Sequence, residues 1–149
     1  MSLKTTLLAA LSLTGSALAA PASTDLTKRA TETIYLSNCV TTGSAYSKSG
    51  MFYYSASEDS QNGASPSSGN YATVNGGSLV GWEGASVSGT FGSGVTFTAQ
   101  IEGGSHAAYS YSGSGSNGYR TFACYRDNER LLFTGSEKWG KCYSVYYCL

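Results

Sequence analysis

The sequence predicts an all-β protein, a single compact antiparallel β-sandwich or barrel of about seven to nine strands braced by two disulfides. Three observations lead there. Apolar and hydroxyl-bearing residues alternate with a period of two between Ala85 and Ile101, and Gly/Ser/Asn-rich turns punctuate the rest. No window carries a sustained helical stripe. An even set of four cysteines sits in a chain that begins like an exported precursor.

The targeting segments come first. Lys4 supplies a positive start, Leu7 to Leu18 an apolar core, and Ala17-Leu18-Ala19 the small-x-small pattern read by signal peptidase. Ser12, Thr14, Gly15 and Ser16 interrupt that core, which falls short of the ~20 residues needed to span a bilayer. Residues 1–19 therefore read as a signal peptide cut after Ala19 or Ala20. Residues 20–29 read as a polar pro-segment whose terminal Lys28-Arg29 resembles a kexin-type processing site. Residues 30–149 remain as the secreted β domain, with an extracellular destination and no membrane anchor.

Within that domain, Val87, Gly89 and Phe91, then Val95, Phe97, Ala99 and Ile101, alternate with Ser, Thr and Gln around Gly92-Ser93-Gly94, which reads as a hairpin. A second hairpin is expected to pair Tyr119–Arg126 with Leu131–Thr134 across Asp127-Asn128-Glu129-Arg130. Further strands are expected at Thr33–Val40, Met51–Ala56, Tyr71–Val74, Leu79–Trp82, Ala107–Ser112 and Cys142–Cys148. Residues 58–69 and 113–118 read as surface loops.

All four cysteines, Cys39, Cys124, Cys142 and Cys148, belong to the secreted part. If Cys142 to Cys148 is a regular strand, its two cysteines share a face but stand ~20 Å apart, beyond bridging reach. Cys39 with Cys148 and Cys124 with Cys142 is the preferred pairing. The alternative is Cys39 with Cys142 and Cys124 with Cys148. With no CxxC pair and no histidine near a cysteine, a zinc site is not expected, and neither a metal nor a cofactor is implied.

Without the precursor segments, eight acidic and six basic residues remain. A weakly negative domain argues against nucleic acid or an anionic membrane as partner. Aliphatic content is thin, and twelve tyrosines with Trp82 and Trp139 supply the missing apolar area. Tyr109 and Tyr111 are expected to be core, flanking an outward Ser110. Tyr53 and Tyr54 must point to opposite faces, so one of them is a surface candidate. Tyr53, Tyr54, Trp82 and Trp139 are the candidates for a binding face.

For catalysis, the single histidine, His106, could pair with Glu102 as acid and base, with Arg120 or Arg126 holding a phosphate. There is no nucleophile elbow and no facing carboxylate pair, and Glu83 reads as a surface residue. The size, the tyrosine and glycine richness and the four cysteines resemble the secreted guanyl-specific ribonucleases of fungi. Leu131-Leu132-Phe133-Thr134-Gly135 is similar to their late strand, but Phe133 stands where that resemblance requires a second histidine. It implies a ribonuclease-like scaffold without complete chemistry.

The layout resembles small secreted cysteine-containing proteins of filamentous fungi: a signal peptide, a dibasic pro-segment, an early Tyr35-Leu36-Ser37-Asn38-Cys39 and a closing Cys142-Tyr143-Ser144-Val145-Tyr146-Tyr147-Cys148. Many of that group are candidate effectors. The resemblance implies delivery toward a host or competitor, and the chain reads as a monomeric, non-enzymatic effector or toxin-like protein with a host or competitor protein or wall glycan as its partner. A secreted ribonuclease-like hydrolase and a wall carbohydrate-binding protein are the alternatives.

Overall fold

Nine strands form in a computed structural model that describes residues 31–149. They are β1 Thr33–Val40, β2 Lys48–Tyr54, β3 Tyr71–Thr73, β4 Ser86–Thr90, β5 Thr96–Ile101, β6 Tyr111–Ser116, β7 Thr121–Arg126, β8 Leu131–Thr134 and β9 Lys141–Cys148. The expected processing sites at Ala19, Lys28 and Arg29 lie outside the described residues. The hairpin β4–β5 realises the alternation read from sequence. Val87, Phe97, Ala99 and Ile101 face inward, while Ser88 pairs with Thr98 and Thr90 with Thr96 through hydroxyl hydrogen bonds of 2.7 Å on the outside.

The strands make one antiparallel sheet in the order β3-β2-β1-β9-β7-β6-β5-β4, with β8 also paired to β9. It curls into a nearly closed barrel. At the seam a Cβ on Gly89 would stand 3.0 Å from the Ala72 methyl, and the Gly92 N–H donates to the Gly69 carbonyl at 2.9 Å. Only glycine at position 89 lets the two end strands approach that closely.

Burial separates into two clusters. Ile34, Leu36, Met51, Trp82, Phe97 and Phe122 fill the barrel with their neighbours. Tyr35, Phe52, Tyr54, Leu132, Phe133 and Trp139 pack on the opposite face, against β8 and the 55–70 loop. Glu58 knits that loop by accepting from the Ser55 and Ser67 N–H groups and the Ser67 hydroxyl. Burial works against its charge, but these donors prevail and hold its carboxyl below the usual range.

β9 is the hub. It pairs with β1 along one edge, and with β7 and then β8 along the other. The expected β7–β8 hairpin is therefore corrected: the two strands lie end to end along β9, and Asp127–Arg130 is a short excursion between them. Its ends are held by Asp127 N–H to the Val145 carbonyl at 2.8 Å and Ser144 N–H to the Arg130 carbonyl at 3.0 Å. Beneath it the buried Asp127 carboxylate accepts from the Ser144 hydroxyl at 2.6 Å and the Asn128 N–H at 2.9 Å, 3.8 Å from the Arg130 Nε.

The disulfides are Cys39–Cys142 and Cys124–Cys148, which corrects the preferred pairing. Each joins residues directly opposite on neighbouring strands: Cys39 faces Cys142 in the β1–β9 ladder, and Cys124 faces Cys148 in the β7–β9 ladder. A strand between two partners is stapled to each, one bridge at either end.

Two other expectations change. Leu79–Trp82 forms no strand: the Val80 N–H is taken by the Ser49 hydroxyl at 3.0 Å, and the backbone bridge to the sheet follows the segment, between Glu83 and Ile101. The expected strand Ala107–Ser112 begins instead at Tyr111 and runs into the serine-glycine stretch read as loop. The register slips between Tyr111 and Gly113, a bulge at Ser112.

Candidate functional site

The 102–110 loop joins β5 to β6 at one end of the barrel. There the His106 Nε2 donates to the Glu102 backbone carbonyl at 2.8 Å, so the residue bonds to the main chain of Glu102 and not to its carboxylate. Its ring stands edge-on to Tyr146, centroids 6.1 Å apart. Tyr146 donates its phenol to the Glu83 carboxylate, and the Arg126 guanidinium lies 5.1 Å from the Tyr146 ring centroid. Burial first, then the bond to Glu83, pushes the Tyr146 pKa far above the ordinary tyrosine value. Arg126 is also engaged by Glu129 at 2.6 Å and the Val145 carbonyl at 3.2 Å.

Arg120 is not in this cluster. It lies in the β6–β7 turn at the other end of these strands, 3.6 Å from Glu32 and over the Phe122 ring at 4.0 Å. The set Glu102, His106 and Arg120 is therefore not brought together, and Arg126 is the cation that borders His106's neighbour Tyr146. Phe133 is fully buried, 4.8 Å from the Phe52 ring, and belongs to the outer-face core.

Of the aromatic binding candidates, three are internal. Tyr54 is buried and donates to the Ala64 carbonyl at 2.7 Å, and burial above all raises its pKa. Trp82 is buried with its indole N–H on the Asn38 Oδ1 at 3.1 Å. Trp139 stacks on Tyr71 at 6.1 Å beneath the Lys48 ammonium, 4.4 Å from its ring. Tyr53 is half-buried and lines the barrel mouth beside Phe91 and Val95, around a cavity of about 260 Å³.

The exposed tyrosines are elsewhere. Tyr109 and Tyr111, expected in the core, are 46% and 55% exposed. The bulge at Ser112 is the cause for Tyr111. In an unbroken strand it would face opposite to Ser114, but one extra residue turns it to the same outer side. It ends an aromatic row in register across six adjacent strands: Tyr71, Phe52, Tyr35, Tyr147, Tyr125, Tyr111. Tyr125 stacks on Tyr147 at 5.5 Å and meets Tyr111 edge-on at 6.0 Å, so the exposed ring is propped from behind.

Beside Tyr111 runs an open groove of about 470 Å³ lined by Gln100, Glu102 and Ser114. Opposed backbones of Gly84 and Gly103 form part of its lining; a Cβ on either would come within 3.8 to 3.9 Å of the other's Cα. Sequence reading assigns Tyr111 to the core and does not single out Gln100. The available signal was Ser112-Gly113, where a glycine inside a strand pattern marks a bulge. Among the described residues, no three His, Cys, Asp or Glu side chains gather as a metal cluster, and no helix is long and apolar enough to cross a membrane. Compared with known protein families, curated proteins and solved structures, the chain matches none.

Proposed function

We propose that this chain is a secreted, non-enzymatic effector or toxin-like protein that works by binding a target on a host or competitor cell. The observation that carries the reading is the exposed Tyr111 lining an open groove on a disulfide-stapled sheet, with a second exposed tyrosine, Tyr109, two residues before it. Rigid aromatic side chains bring large contact area at low entropic cost, which suits recognition. Two further facts support it. The bridges suit an oxidising compartment. Arg120 pairs with Glu32 at the opposite end of the barrel from Glu102 and His106, so the three do not face one phosphate.

The test applies the oxidised protein, purified from culture medium, to live target cells. Labelled protein is expected to bind saturably, to lose binding after reduction, and to keep it in His106→Ala. RNA digestion by the same material, abolished by His106→Ala, would replace this reading with a ribonuclease.

A further inference from the structure

The groove beside Tyr111 combines three features that select one ligand chemistry. Its aromatic wall is exposed and held in place by Tyr125 behind it. Its polar lining is in register: Ser86 faces Gln100 across β4–β5, and Gln100 faces Ser114 across β5–β6, giving a row of uncharged hydroxyl and amide groups perpendicular to the strands. Facing glycines leave bare backbone at Gly84 and Gly103, where a ligand can approach closely.

We propose that this groove is a binding site for an uncharged polysaccharide chain, with Tyr111 stacking on a sugar ring and Gln100, Ser114 and Glu102 hydrogen-bonding its hydroxyls. Sugar C–H groups carry slight positive charge and lie against the negative face of an aromatic ring. Ring hydroxyls both donate and accept, so an amide, a hydroxyl and one carboxylate complement them. Among the described residues, Glu102 is the only charged one lining the groove, which disfavours polyanions such as nucleic acid or sulfated glycans. An extended peptide would seek a free strand edge, whereas β5 is paired on both sides here. The volume lies in the ~300–1,000 Å³ class of small-ligand sites, open enough for a chain to continue beyond it.

This site rests on the reading that the protein works by binding, and its test is separable from that one. Full-length secreted protein is titrated with β-1,3-glucan hexasaccharide, chitin hexasaccharide and heparin, following backbone amide shifts and heats of binding. At least one neutral oligosaccharide is expected to shift the amides of Gly84, Gly103, Tyr111 and Ser114. Tyr111→Ala is expected to weaken it about tenfold or more, and Tyr111→Phe to restore most of the loss. Gly103→Val plugs the groove at a position where a Cβ meets only ordinary contacts, so it should abolish binding with the unfolding midpoint unchanged. Tyr119→Ala, at the far end and 86% exposed, should bind like the parent. Binding of neither neutral glycan, tighter binding of heparin, or equal binding by Gly103→Val would overturn the assignment. If cell binding persists through such a result, only the glycan site falls; if cell binding is also absent, the broader reading falls with it.

Discussion

Cys142 and Cys148 lie on one strand yet face opposite sides of the sheet. Cys142 joins Cys39 in the outer cluster, whereas Cys148 joins Cys124 inside the barrel. Six positions apart on a regular strand they would share a face. The slip opposite Leu36 and Ser37 inserts Val145 as an extra residue, and every side chain beyond it changes sides. Tyr147 thereby reaches the aromatic row, and Tyr146 reaches the barrel.

The two bridges should differ in worth. Cys39–Cys142 closes a separation of 103 residues and Cys124–Cys148 one of 24. Loop-closure entropy then gives roughly 4 to 5 kcal/mol for the first and roughly 3 to 4 kcal/mol for the second. Replacing Cys39 and Cys142 together by Ala should therefore lower the urea midpoint more than replacing Cys124 and Cys148. The reverse order, measured on both double variants, would contradict the entropic argument.

Much of the fold was legible because local alternation survives wherever strands are regular. β1 and β8 fall where the sequence places them, and the β4–β5 hairpin follows its hydroxyl pattern. Parity failed at bulges: nothing at Val145 marks an extra residue without knowledge of the partner strand, and Gly113 signals a bulge near Ser112 without giving the side to which Tyr111 turns. Alternation alone therefore puts Tyr111 in the core and Cys142 and Cys148 on one face, and both differ in the folded sheet. Pairing order was equally hidden: β7 and β8 are adjacent in sequence but each bonds to β9, a long-range choice that turn residues do not encode. The candidate site was half legible. His106 and Glu102 are neighbours through a backbone bond, but Tyr146 and Glu83 reach the cluster only through tertiary packing.

Asp127 should be a stability residue. Its carboxylate is fully buried and accepts from Ser144 and Asn128 beside the Arg130 guanidinium. Asp127→Ala strips those donors of their partner and leaves Arg130 uncompensated, for an expected loss of about 3–5 kcal/mol. Asp127→Asn keeps an acceptor oxygen and should lose less. Chemical denaturation of both variants checks the ranking, and equal losses would mean that the charge dominates over the hydrogen bonds.

Gly140 and Gly94 share a backbone conformation but not surroundings. Their φ values are 63° and 86°, both in the left-handed region. A Cβ at Gly140 would stand 2.2 Å from the Val40 carbonyl oxygen, whereas one at Gly94 meets nothing within 4 Å. Gly94→Ala should cost about 1–2 kcal/mol from backbone strain alone. Gly140→Ala adds a collision with main chain that cannot rotate away, so a loss of about 3 kcal/mol or more is expected. Thermal melts of the two variants should separate clearly; superimposable curves would show that the 140 turn rearranges freely.

Alkali should unfold the protein through its tyrosines. The phenols of Tyr54 and Tyr146 have their pKa values raised from the ordinary 10.0, both chiefly by burial, with the Glu83 hydrogen bond adding to Tyr146. A raised folded-state pKa means that the unfolded chain releases these protons first. Their contribution is complete below about pH 10 and declines as pH climbs from there toward the folded values. Stability should therefore fall steeply above about pH 10, with native circular dichroism lost as the phenols of Tyr54 and Tyr146 ionise. Tyr54→Phe removes one linked proton and should flatten the alkaline slope, although it also breaks the bond to the Ala64 carbonyl and lowers stability at neutral pH. If native circular dichroism and the unfolding midpoint hold unchanged well above about pH 10, the two phenols are not linked to folding as their burial requires.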